Sequence, residues 1–198
     1  MKKIIYIHGF ASSGASGTAT NMRNALYPEG VVVHSPDIPV MPADAIAFLR
    51  QYIADEQPDL IIGTSMGGFY TELQYGYKRI LVNPSFQMAR LLTFRGMGNY
   101  EFHNKREDGA KTFKVDKEMI AQFRELEKQS FKGVTPEERE RVYGLFGIHD
   151  KTVNCQDIYK KHYGDAHFAT FDGEHRLNDI ILKTTVLPLA RTLLDLNK

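Results

Sequence analysis

At 198 residues the chain is long enough to bury most of its apolar surface in one compact domain. Its 25 Lys and Arg are interleaved with 24 Asp and Glu, so it presents no charge field of the kind that nucleic acid or an anionic membrane surface needs, and a small-molecule partner is expected. Cys155 is the single cysteine, which excludes an internal disulfide framework and points to a reducing, cytoplasmic location; no stretch is apolar enough to span a bilayer, and the run behind Lys2-Lys3 stops at His8-Gly9, too short for a signal peptide.

In chain order, short β-prone runs alternate with helix-like segments. Residues 4–7 are followed by a helix over 18–26, residues 31–33 by 43–54, and residues 60–62 by 66–76. Residues 80–82 form the next run; later, 142–146 is followed by 156–163 and 167–171 by 178–194. The runs are continuous and mostly β-branched, as suits strands buried on both faces. The alternation predicts an α/β protein with a doubly wound, mostly parallel sheet.

One interruption stands out, between Pro84 and Arg141. It is too long for an ordinary connection, so residues 85–141 are expected to be a cap or lid subdomain inserted into a single domain spanning 1–198. Within it, 100–115 carries Asp108-Gly109 between apolar residues and reads as a hairpin. Asp116 is placed to cap a helix that shows Ile120, Phe123, Leu126 and Phe131 near helical spacing, and Thr135-Pro136-Glu137-Glu138 reads as a second helix start. Phe86, Met88, Leu91, Leu92, Phe94 and Met97 form an apolar cluster with two readings, an acyl pocket beneath a lid or the core of the insertion.

The chemistry gathers at predicted strand ends. Gly63-Thr64-Ser65-Met66-Gly67-Gly68 follows the run at 60–62 and opens a helix, the strand-turn-helix setting in which a G-x-S-x-G serine projects as a nucleophile. A neutral hydroxyl needs a base, and the base needs a carboxylate to hold its tautomer. Asp150 follows the run at 142–146 and His175 the run at 167–171, giving the Ser, Asp, His order of α/β-hydrolases. His149 is the rival base, and Asp172 and Asp157 are rival acids. The backbone N–H groups of Met66 and Phe10, the latter in the loop after the first strand, are the expected oxyanion donors. The loop from Gly9 to Ser16 has glycines spaced as in a phosphate-binding loop, but Ala15 stands where the lysine belongs, which argues against nucleotide hydrolysis. No metal-ligand spacing is evident, Cys155 reads as a spectator, and no cofactor is expected.

His8-Gly9-Phe10 with Ser12-Ser13, Gly63 through Tyr70, Val82-Asn83-Pro84, Gly147-Ile148-His149-Asp150-Lys151-Thr152-Val153 and Gly173-Glu174-His175 resemble, in this order and over nearly the whole chain, the small bacterial esterases of the YqiA/YcfP-like family of α/β-hydrolases. The resemblance implies a triad of Ser65, Asp150 and His175 and hydrolysis of carboxylic esters or thioesters through an acyl-enzyme. The alternative from another class is a non-catalytic ligand-binding or regulatory module built on the same pocket. Oligomeric state is not legible.

Overall fold

The computed structural model describes residues 1–196. Six strands form one parallel sheet: β1 (Lys2–Ile7), β2 (Val31–His34), β3 (Leu60–Thr64), β4 (Arg79–Val82), β7 (Val142–Gly147) and β8 (Phe168–Phe171). Their spatial order is β2-β1-β3-β4-β7-β8, and each predicted run lies within or overlaps one of them. The chain winds outward in one direction from β1 to β2 and in the other from β3 onward. The crevice between the carboxyl ends of β1 and β3 is therefore the switch point at which open α/β sheets bind ligands.

Alternation along each strand feeds two apolar layers. Ile4 and Tyr6 face α1 (Gly17–Leu26) and the C-terminal helix, while Ile5 and Ile7 face α2 (Pro42–Glu56) and α3 (Met66–Glu72). The C-terminal helix runs as α8 (Asp179–Ile181), a wide turn over Leu182–Val186, and α9 (Leu187–Leu193). Pro188 explains the widening, because it has no N–H to offer the carbonyl four residues back; Leu187 N–H instead bonds Leu182 O, five residues away. Helix α3 is shorter than its pattern suggests. It stops at Glu72 because the chain must turn through Gly76, at φ +89°, to enter β4.

The segment between β4 and β7 folds as α4 (Met88–Arg95), the antiparallel pair β5 (Gly98–Glu101) and β6 (Thr112–Val115), α5 (Lys117–Glu127) and α6 (Pro136–Arg139). Asp116 and Thr135 cap α5 and α6, accepting from the Met119 and Glu138 amides. The hairpin differs from expectation. Its strands close at Glu101 and Thr112, so Asp108-Gly109 lies inside a longer loop, where Asp108 holds Arg106. Helix α4 has no side-chain cap and accounts for most of the apolar cluster. Phe86, Met88 and Leu92 are buried with Val115, Met119 and Phe123 in the apolar layer on the Ile5 and Ile7 face of the sheet, whereas Phe94 and Met97 are exposed. Arg79, fully buried at the start of β4, pairs with Glu138 and so ties the end of this segment to the sheet.

Candidate active site

Ser65 is the pivot between β3 and α3, with φ 55° and ψ −118°, a strained conformation for a residue with a Cβ. The turn closes only because of its glycines. A Cβ on Gly67 would stand 1.9 Å from Ile7 O and one on Gly63 2.3 Å from Gly67 O, so helix α3 can press against β1 and β3 only with both positions bare. At the helix start, Ser65 makes no side-chain cap. Its Oγ instead meets His175 Nε2 at 2.8 Å and Ser85 Oγ at 3.1 Å.

His175 Nδ1 lies 2.7 Å from Asp150 Oδ2. The other carboxylate oxygen, Oδ1, accepts the Thr152 and Val153 amides at 2.8 and 2.9 Å. Asp150 is thus fixed by its own loop while presenting one oxygen to the imidazole. Burial raises its pKa, but the His175 hydrogen bond and the two amides outweigh that and hold the carboxyl below its ordinary value. With the Asp150 side chain 4% and the His175 side chain 14% exposed, the pair is largely shielded from water. An ionised Asp150 fixes the proton of a neutral His175 on Nδ1, so Nε2 accepts from Ser65 and the Ser85 hydroxyl is left to donate to Ser65 Oγ.

The rival residues are elsewhere. His149 Nε2 and Asp172 Oδ1 pair with each other at 2.9 Å on the exposed surface, and Asp157 lies in the first turn of α7 (Gln156–Tyr163). His8 is buried and structural: its Nε2 accepts the Ile38 amide at 3.3 Å and its Nδ1 donates to Gly9 O at 3.0 Å. Burial drives its pKa down to about 4, so it is neutral at physiological pH. Cys155 is buried with its thiol pushed up to about 11, far from a reactive thiolate.

Gly9 approaches Ser65 so closely that an added Cβ would contact Ser65 Cβ at 3.4 Å, which sets the backbone of the β1 loop beside the serine. Phe10 and Ser65 border one cleft of about 440 Å³. The Phe10 ring packs edge-on against Tyr100 and Phe113 of the hairpin. Around it, the hairpin loop is latched to the β1 loop: His103 N–H bonds Ala11 O at 2.7 Å, and Ser13 Oγ donates to Lys105 O at 2.8 Å. Asp37 joins both loops by accepting the Gly14 and Glu107 amides, each at 2.7 Å. Met66 is the first residue of α3, so its amide is among those that no helical carbonyl satisfies.

Two further residues complete the arrangement. Asn83, buried and at φ 43°, donates from Nδ2 to Glu174 O at 2.9 Å and His175 O at 3.0 Å, while its Oδ1 accepts the Gly147 amide at 2.7 Å. One side chain therefore locks the histidine loop to the end of β7. Ser85 binds Ser65 twice, through the hydroxyl contact and through its N–H to Ser65 O at 3.0 Å. Neither role follows from the sequence pattern. The available signal is a polar Asn-Pro-Ser run at the carboxyl end of a fully buried strand.

A model of the Uncharacterised protein family (UPF0227) matches residues 3–186. Among solved structures, Est1E from Butyrivibrio proteoclasticus with bound ferulic acid superposes with a TM-score of 0.71 at 16% identity, covering 98% of this chain and 89% of that one. The esterase domain of a Rhodothermus marinus protein gives 0.65 at 18% identity, covering 96% and 87%. Alpha/beta hydrolase domain-containing protein 10 from mouse gives 0.65 at 14% identity, covering 98% and 90%. At these identities the likeness establishes the α/β-hydrolase fold. Among the described residues, no helix is long and apolar enough to cross a membrane.

Proposed function

The chain belongs to the UPF0227 family, that of the YqiA/YcfP proteins, and from this membership and the geometry at Ser65 we propose that it is a serine hydrolase cleaving carboxylic esters or thioesters of small molecules. The observation that carries the reading is the unbroken relay from Ser65 Oγ to His175 Nε2 at 2.8 Å and from His175 Nδ1 to Asp150 Oδ2 at 2.7 Å. The esterase and hydrolase names among the structural neighbours are in keeping with it.

Ser65 Oγ attacks the carbonyl carbon as His175 Nε2 takes its proton, and Asp150 stabilises the imidazolium through the short contact to Nδ1. The carbonyl oxygen becomes an oxyanion in the cleft beside Phe10, where the Phe10 and Met66 amides receive it; one such donor contributes roughly 3 to 4 kcal/mol to the transition state in a serine protease. Collapse breaks the ester C–O or thioester C–S bond, and the leaving group takes the proton from Nε2. Water, deprotonated by His175, then cleaves the acyl-enzyme to acid and free Ser65. Ser85, donating to Ser65 Oγ, holds the nucleophile in the rotamer that faces the base. The segment 85–141 acts as the cap, since its hairpin orders the Phe10 loop. We place the protein in the reducing cytoplasm, where a lone buried Cys155 stays a thiol.

The test is steady-state hydrolysis of a short-chain ester and its thioester by native protein, Ser65→Ala, His175→Ala and Asp150→Asn. Native turnover is expected, lost in the first two variants and reduced by about 10⁴-fold in kcat in the third, since the acid's loss leaves the wrong tautomer. Turnover retained in folded Ser65→Ala or His175→Ala overturns the assignment. A folded native protein that binds esters without cleaving them is a binding module.

A further inference from the structure

Three cations at the mouth of this site, Arg95, Lys151 and Arg176, form no ion pair with any described residue. Arg95 ends α4 and Arg176 directly follows His175, so two distant segments each contribute an arginine to the same clefts. Both border the 440 Å³ cleft that contains Ser65, and both border a second cleft of about 530 Å³ that meets the first at His175 and includes Lys151. Of the carboxylates on these walls, Asp179 is engaged by the Asn21 amide at 2.7 Å and Glu174 faces the second cleft. The chain as a whole is nearly neutral, so this excess is local.

The rest of the first cleft is mixed, with hydroxyl and amide groups beside the apolar Phe10 and Leu177. Tyr6 and Thr64 share a 2.9 Å hydrogen bond on its wall, beside Ser12 and Thr18. The apolar cavity among Phe10, Ile38, Met66, Phe113 and Phe123 is only about 20 Å³, far smaller than the two cationic clefts, and the cleft of about 310 Å³ beside Ser85, Leu91 and Phe94 also carries Gln87, Arg90 and Asn154. We propose that the site takes short esters bearing an anionic group, a carboxylate or a phosphate, which Arg95 and Arg176 grip while Ser65 attacks the carbonyl.

Guanidinium is suited to this because its planar donors match two oxygens of either anion. Both arginines are exposed, so the attraction is screened and falls with salt. The inference rests on the hydrolase reading for its reaction, but its binding half stands separately.

Two matched pairs test it: monomethyl succinate against dimethyl succinate, with the anion on the acyl side, and 1-butyrylglycerol 3-phosphate against 1-butyrylglycerol, with the anion on the alcohol side. For native protein at low salt, the kcat/KM ratio of charged over neutral ester should be about tenfold or more for at least one pair, and the favoured pair identifies the anion's side. The ratio should fall toward one in about 0.5 M NaCl and in Arg95→Gln/Arg176→Gln, and largely survive in Arg95→Lys/Arg176→Lys. NMR titration of Ser65→Ala protein with the same four compounds should show the same preference without turnover. If native protein cleaves both members of each pair equally and Ser65→Ala binds them equally, the anion site is overturned and the hydrolase stands. If Ser65→Ala binds the charged ester preferentially while native protein cleaves none, the anion site stands and the hydrolase reading falls.

Discussion

Replacing Asn83 with alanine should disable the site without touching a reacting atom. Its amide closes three hydrogen bonds, and the Gly147 N–H that it satisfies sits in a buried strand end with no alternative partner among the described residues. Stranding one such buried donor costs about 1–3 kcal/mol. Alanine at φ 43° adds about 1 kcal/mol, because Asn tolerates the left-handed region better than other residues with a Cβ. Urea unfolding of Asn83→Ala should therefore show a loss of about 2–4 kcal/mol, the larger part from the amide. Asn83→Gly, which accepts the positive φ, isolates that part. The functional consequence is separate. The Glu174 and His175 carbonyls lose their anchor, and a displacement of about 1 Å at the imidazole is worth on the order of 10²-fold in kcat, with KM little changed. Wild-type stability and kcat in Asn83→Ala would refute the clamp; a stability loss with unchanged kcat would reduce Asn83 to a structural residue.

Other outcomes follow from the same contacts. Gly67→Ala puts a Cβ 1.9 Å from Ile7 O and should cost about 2–3 kcal/mol in thermal or urea unfolding, whereas Gly17→Ala, with open space around it, serves as the neutral control. His8 has a folded pKa of about 4, below its unfolded value near 6.5, so the unfolded chain binds the proton first as pH falls. Its contribution is complete above about pH 6.5, is lost between there and about pH 4, and levels off below, roughly 3 kcal/mol in all. Urea unfolding of native protein and His8→Gln across this window should show the acid-dependent loss to be smaller in the variant; parallel curves would contradict the buried neutral imidazole.

Strand identity was legible because the inner runs are apolar on both faces, a pattern set by burial within the sheet and independent of distant partners, while the edge run at 168–171, with Ala169 and Thr170 exposed, is marked by Phe168 and Phe171. The Ser65, Asp150 and His175 geometry was legible for a related reason: each residue follows a strand, and the parallel sheet delivers all those ends to one edge. What escaped has its causes at long range. Helix α4 starts without a capping side chain and stops at Gly96, so its apolar residues read as a cluster without a period. The hairpin loop follows Ala11, Asp37 and Ile38 instead of its own Asp-Gly turn. Asn83 and Ser85 act on backbone and hydroxyl groups of remote segments, pairings that neither composition nor spacing encodes.

The central claim, that Ser65 is an activated nucleophile, is tested most directly by intact-protein mass after treatment with a fluorophosphonate, which needs no knowledge of the substrate. One adduct on native protein and none on Ser65→Ala is the result the relay predicts. A folded native protein without an adduct, or labelling that persists in Ser65→Ala, would contradict it.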